Sequence, residues 1–430
     1  MSTMIQIGLV GLGFVGQGVV DILTQNAALF EQRLGQPIRI KTVAVRDVSK
    51  PRDSDLPSDI TITDSVDSML TDPDISILVE VMGGEHPAYD IIKRALSSGK
   101  VVITANKEVV GKHQTEFFEL AKANQTDIYF EAAVGGGIPL VRALKVGYAA
   151  NHIQSFYGIL NGTTNYILTR IEEDQNDFLD VLAEAQRLGF AEADPSMDVD
   201  GLDAAYKLVI LAGVAFKIDV SLNDVFYDGI TSITLTDIRY ASELGYRIKL
   251  LAKGRRTENG IVLTVHPTML DVTHPLATVR NELNALFLVG DFVGESMLLG
   301  KGAGGSPTAS AVVSDIIDSC FNYGTVTTRN LETLQKPPAM LSITDTESQF
   351  YLRLTIEDFS GALEKLTHVF SHDTINIKSI LQKDGVGSYA EVVMVTYPVN
   401  EAHMQASIQA IQQLDSVKSV DAVIRVGLGA

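Results

Sequence analysis

The stretch Ile5-Gln6-Ile7-Gly8-Leu9-Val10-Gly11-Leu12-Gly13-Phe14-Val15-Gly16 decides the reading of the fold. A short apolar run, Ile5–Val10, meets a glycine loop, and apolar residues then recur at helical spacing through Val15, Val19, Ile22 and Leu23. Gly11, Gly13 and Gly16 fit G-x-G-x-x-G. Alone the pattern is weak, but between a strand and a helix it predicts dinucleotide binding, with Phe14 and Val15 in the same cofactor-facing loop. Gly11 permits the tight turn, Gly13 lets a pyrophosphate approach the helix N-terminus, and Gly16 lets the helix pack closely on the strand.

Working outward, Ile38–Val45, Ile75–Met82, Val101–Thr104 and Ile128–Ala133 read as strands, while Pro87–Ser98 and Lys107–Asn124 read as helices. Strands that are apolar almost throughout, separated by helices, imply an α/β Rossmann-type parallel sheet covered on both faces. The residues after the second strand separate the two nicotinamide cofactors. Arg46, with Lys50 and Arg52 nearby, suits a 2′-phosphate, so NADP is expected, with NAD as the alternative because Asp47 adjoins. Two further loops, Met82-Gly83-Gly84 and Thr104-Ala105-Asn106-Lys107, fall at strand C-termini, where ligands bind in such sheets. Lys107 sits where a helix dipole disfavours a cation, which argues for a functional placement.

Beyond these elements the alternation stops. His152–Leu160 reads as a strand, Phe178–Leu188 and Gly201–Phe216 as helices, and Arg247–Ala252, Ile261–Pro267, Ala285–Val289 and Ser296–Leu299 as strands, so an α+β middle domain is expected. Ser306–Phe321 reads as a long helix, and Gln335–Gln349, with Pro337-Pro338, as a linker. The tail gives β-α-β-β-α-β, the ferredoxin-like order, over 350–430. The expected division is therefore 1–135 with 306–335 for cofactor binding, 136–305 for a catalytic and dimerisation domain, and 350–430 for the tail. At about 100–200 residues per domain, the 430 residues suit this count.

Composition narrows the function classes. There are 34 basic and 53 acidic residues, for a formal charge of −19, which disfavours nucleic acid as a partner. The single cysteine, Cys320, cannot form an intrachain disulfide or a zinc cluster and reads as a small buried residue. Met4–Val20 is uncharged, but it lacks a basic n-region and holds five glycines, so no signal or membrane helix is expected. A soluble, cytoplasmic protein follows as the expectation.

Five carboxylates fall between Glu192 and Asp203, and Asp203 and Lys207 are i, i+4 on an apolar helix. Carboxylates suit a substrate ammonium, and a lysine can exchange a proton with a carbonyl or hydroxyl oxygen. A plain surface ion pair is the competing reading of that spacing.

Seven segments in order carry a resemblance: Gly11–Gly16, Thr104–Lys107, EAAVGGGIPL (131–140), GILNGTTNY (158–166), GFAEADP (189–195), GLDAAYK (201–207) and GKGAGGSP (300–307). Together they resemble homoserine dehydrogenase over about residues 1–330, and the tail resembles an ACT domain. The resemblance implies the monofunctional, ACT-tailed form, without an N-terminal aspartate kinase. It implies NAD(P)-dependent interconversion of L-homoserine and L-aspartate 4-semialdehyde, at the branch toward threonine and methionine. It implies Lys207 as proton donor, Lys107 lining the site, and Glu192 and Asp203 holding the substrate. Gly189 and Gly304, with Thr104, Lys107 and Glu192, are implied at the cofactor. Glu131, Val134, Gly136 and Ile138 are implied as a structural sodium site, threonine as effector near Asp358–Leu363 and Asn376, and a homodimer or tetramer as the assembly. The competing readings are another NADP-dependent reductase of an amino-acid-derived carbonyl and a non-catalytic amino-acid sensor.

Overall fold

The computed structural model describes residues 4–50, 56–321, 334–337, 339–385 and 387–429. The chain begins β1 (Ile5–Val10), α1 (Phe14–Gln25), α2 (Ala27–Leu34), β2 (Ile38–Ala44), β3 (Thr61–Thr63), α3 (Val66–Thr71) and β4 (Ile75–Glu80). It continues α4 (Ala88–Ser97), β5 (Val101–Thr104), α5 (Lys107–Ala123), β6 (Ile128–Tyr129) and α6 (Leu140–Arg142). The middle comprises β7 (Ile153–Ile159), α7 (Gly162–Asp174), α8 (Phe178–Arg187), α9 (Ser196–Val199), α10 (Leu202–Phe216), β8 (Val225–Tyr227) and α11 (Leu235–Glu243). Four strands and a helix follow: β9 (Tyr246–Thr257), β10 (Gly260–Asp271), β11 (Leu283–Gly290), β12 (Gly294–Lys301) and α12 (Gly305–Phe321). The last are β13 (Glu347–Glu357), α13 (Ala362–His372), β14 (Ile377–Asp384), β15 (Tyr389–Thr396), β16 (Val399–Asn400), α14 (Glu401–Gln412) and β17 (Val417–Val426). These segments gather into two compact units, one of residues 1–153, 206–222 and 289–337, the other of 154–205, 223–288 and 338–430.

The first unit is built on a six-stranded sheet of order β3-β2-β1-β4-β5-β6, parallel throughout. Successive residues Ile77, Leu78 and Val79 are all fully buried, as expected where helices cover both faces. The strand order reverses between β1 and β4, and the ligand crevice of such sheets opens there, beyond the strand C-termini. Helix α12 packs against α1. A Cβ at Gly18 would stand 2.8 Å from the Cβ of Ala309, so the glycine is what lets the two helices approach. Cys320, on α12, is buried, and burial pushes its thiol up to about 11.

In the second unit the strands run β11-β7-β9-β10-β17-β13-β15-β14. Strands β9 and β10 form a long antiparallel hairpin, from Gly260 opposite Thr257 to Asp271 opposite Tyr246. The C-terminal segment follows β13-α13-β14-β15-α14-β17, with antiparallel neighbours, around a core that includes Leu352, Leu366, Phe370, Val392 and Ile411. It is not hung on a free tether. Strand β17 pairs in parallel with β10 through Thr268–Arg425 and Met269–Val426, so one sheet runs through both parts. The segment read as a linker is pinned as well: Met340 bridges Ile261, Ser342 caps a 3-10 turn at Ile343–Asp345, and β13 already begins at Glu347.

Helices α2, α3, α6, α7, α9 and α11 are not anticipated from the sequence, and two of them show why. Helix α7 is rich in threonine and β-branched residues, poor formers by propensity, and is stabilised by the near-complete burial of residues 163–169. Helix α11 has no clean apolar stripe and is started by a capping box between Thr234 and Asp237.

Candidate active site

In the first unit the glycine loop has the shape its residues require. Gly11 sits at φ 103°, where a Cβ would stand 2.9 Å from the carbonyl oxygen of Val81; a Cβ at Gly16 would stand 2.3 Å from the oxygen of Gly11. Gly13 is the reverse case: nothing lies within 4 Å of its Cβ position. It is the N-cap of α1 and offers no side-chain cap to the first-turn N–H groups of α1. Phe14 beside it is 92% exposed, Val15 half-buried. That is a cradle for a pyrophosphate. Arg46 follows β2 on an exposed turn, while the Oδ1 of Asp47 accepts from Ser49 N (2.8 Å) and Oγ (2.6 Å). Lys50 is exposed too, and Arg52 lies outside the described residues.

The next two strand ends are tied together by a residue sequence reasoning passed over. Glu80, at the end of β4, is fully buried; it accepts from Met82 N at 2.7 Å and from the Thr104 hydroxyl at 2.6 Å. Burial pushes its carboxyl above the usual range, against those hydrogen bonds. Thr104 Oγ1 in turn accepts from Asn106 N, and Asn106 caps α5 and donates to Gly84 O at 2.7 Å. This chain fixes where α5 starts, and therefore where half-buried Lys107 is presented. The signal was a lone glutamate in an otherwise apolar strand.

Residues 131–138 form a buried turn. Gly135 and Gly136 have φ of 76° and 52°, and a Cβ at Gly136 would stand 2.5 Å from Gly302 O. The Glu131 carboxylate is taken by Val141 N (2.8 Å) and Arg142 N (2.7 Å). A cation at this turn would therefore meet main-chain oxygens rather than that carboxylate. No cluster of three or more metal-binding side chains occurs among the described residues. Val134 and Ile138 are buried, and Gly304 lies at φ 118° on the exposed loop before α12.

In the second unit Asn161, the N-cap of α7, is the organising residue. Its amide donates to Asp198 Oδ1 at 2.6 Å and Asp203 Oδ2 at 2.8 Å, while its carbonyl oxygen accepts from Thr164 N. One amide thus gathers two of the five carboxylates predicted from sequence. Asp203 is only 1% exposed. Glu192 and Gly189 lie on an exposed loop, with Gly189 at φ 79° and Glu192 O accepting from Gln186. Helix α10 carries Asp203 in its first turn and half-buried Lys207 one turn later; the chain passes from the second unit to the first between Ala205 and Tyr206. A helix buried along nearly its whole length is not the setting of a plain surface pair.

Comparison with known proteins agrees with these features. The model of the homoserine dehydrogenase NAD-binding domain matches residues 11–131, and that of homoserine dehydrogenase matches 139–317. The homoserine dehydrogenase of Bacillus subtilis (strain 168) is 41% identical over 98% of each chain. A homoserine dehydrogenase structure from Thiobacillus denitrificans superposes with a TM-score of 0.94, at 39% identity, over the whole of both chains. A hyperthermophilic archaeal homoserine dehydrogenase in complex with NADPH covers 75% of this chain and 99% of its own, at a TM-score of 0.63 and 26% identity. The chain belongs to the homoserine dehydrogenase family, NAD(P)-dependent oxidoreductases that interconvert L-homoserine and L-aspartate 4-semialdehyde.

Proposed function

We propose that the enzyme works on NADP, with Lys207 as the proton-transfer group and Asp203 and Glu192 holding the ammonium of the amino-acid substrate. The observation that carries this reading is the placement of Asp203: buried, joined to Asp198 by Asn161, and one turn before Lys207 on α10. Two carboxylates drawn together by one neutral amide favour a cation. The nicotinamide supplies or accepts the hydride. Reduction of the aldehyde makes an alkoxide, and the Lys207 ammonium stabilises and protonates it; in the other direction the neutral amine takes the hydroxyl proton. Lys107, presented by the Glu80–Thr104–Asn106 chain, lines the same chemistry. Gly11, Gly13 and Gly16 take the pyrophosphate, Arg46 the 2′-phosphate, and Thr104, Gly189 and Gly304 the rest of the cofactor. The archaeal relative bound to NADPH supports that preference.

The test is the homoserine-dependent reduction of NADP+. Asp203→Asn is expected to raise KM for homoserine by about 10–100-fold, the loss of one charge-assisted contact, while KM for NADP+ stays put. A shift in the NADP+ term instead would remove Asp203 from the substrate.

The same reading extends to a sodium ion on main-chain oxygens of Glu131, Val134, Gly136 and Ile138, a homodimer or tetramer, and a cytoplasmic place in threonine and methionine synthesis. Among the described residues no helix is long and apolar enough to cross a membrane. The C-terminal segment is proposed as an ACT domain that senses threonine near Asp358–Leu363 and Asn376. Support comes from Gly361, at φ 101°, which turns that loop into α13. Threonine titration of the intact enzyme checks it; unchanged turnover would reject it.

A further inference from the structure

Within the second unit, three strands place polar residues in one row. Tyr157 on β7 stands opposite Lys253 on β9, and Lys253 opposite Thr264 on β10. Residues directly opposite project to the same face, and so does Arg255, two positions further along β9. The row lines a partly open recess, closed on its other sides by Ile343, Glu347-Ser348, Arg425 and the turn at Leu428-Gly429.

Among the described residues the charge in this recess is unbalanced. Lys253 is buried, and the partner of its ammonium is the main-chain oxygen of Gly427 at 3.2 Å. Arg425 is neutralised by Glu401 through contacts of 2.5 and 2.9 Å. Arg255 has no carboxylate partner among the described residues, and the one acid of the lining, Glu347, is exposed. Burial and the positive charges of Arg425 and Arg255 together disfavour the charged form of Lys253. A buried ammonium without a counter-charge is strongly unfavourable. In a chain of net charge −19 this is a local concentration of basic side chains around a partly open recess, and a bound anion would favour the charged form of Lys253.

An ammonium, a guanidinium fork and hydroxyls on one wall are the donors that suit an oxyanion. We propose that this recess binds a small oxyanion, a carboxylate or a phosphate, with Lys253 and Arg255 as its charged donors and the hydroxyls of Tyr157 and Thr264 completing the set. The ligand would sit where the β9–β10 hairpin meets the end of β17, the join between the middle strands and the C-terminal segment.

Calorimetric titration of the full chain, saturated with NADP+ so that the glycine loop is filled, tests this with sodium acetate and with inorganic phosphate at constant ionic strength. Saturable binding of either ion above the chloride control is expected; tighter acetate identifies a carboxylate ligand, tighter phosphate a phosphate. Arg255→Gln and Lys253→Met should each weaken it by about tenfold or more, and Arg46→Ala should not. Arg255 is half-buried, so its variant should keep wild-type homoserine turnover and stand as the folded control even if the Lys253 variant is unstable. Binding no better than chloride, binding unchanged in Arg255→Gln, or binding lost with Arg46→Ala would each overturn the proposal.

Discussion

In the first unit the buried carboxylate of Glu80 is held by a threonine hydroxyl and a backbone N–H, whereas in the second the buried carboxylate of Asp237 is held by an arginine. Arg353, on β13, reaches Asp237 on α11 at 2.7 and 3.2 Å, and Tyr351 adds a hydroxyl at 3.2 Å. The partners of Glu80 lie 2 and 24 residues away; Asp237 accepts locally from Thr234, but Tyr351 and Arg353 lie 114 and 116 residues away. Neutral donors around Glu80 shape two short loops at the ligand end of a sheet. The arginine pair staples the C-terminal segment to a helix of the middle strands. A buried carboxylate therefore positions a site in one unit and joins parts of the chain in the other.

The largest effect that sharpens this contrast is expected at the staple. Arg353→Met leaves Asp237 buried without its cation and should cost about 3–5 kcal/mol of stability, while Arg353→Met combined with Asp237→Leu should recover most of it. Chemical denaturation of both variants reads this; a single variant as stable as the parent would mean the pair joins nothing. Thr104→Val, which removes one neutral donor from Glu80, should cost less, about 1–3 kcal/mol. The smallest change is at the cofactor. Arg46→Ala should weaken NADP+ by about 10–100-fold and NAD+ by much less, with no change in stability. Equal losses for both cofactors would take the 2′-phosphate away from Arg46.

The contrast also explains what could be read from sequence. The parallel sheet was legible because its strands are local apolar runs: Val101–Thr104 is β5 end to end, and the glycine loop needs only its own twelve residues. The tail was legible for the same reason, down to Val417–Val426 as β17. What depends on distant partners was not. Asn161 lies inside a quoted motif, yet its partners are 37 and 42 residues away, so nothing local marks it as the residue that gathers Asp198 and Asp203. Arg353 belongs to no motif, and locally Asp237 shows only as the capping-box partner of Thr234. The pinning of the segment before β13 was equally hidden, because Met340 and Ile261 meet only once the hairpin has formed.

In the proposed mechanism Lys207 moves the proton and does not hold the cofactor. Steady-state turnover of L-homoserine by Lys207→Ala, measured together with its NADP+ dissociation constant, tests it directly. The expected result is a kcat lower by about 10²–10⁴-fold with a dissociation constant within about twofold of the parent. Turnover retained with cofactor binding lost would contradict it.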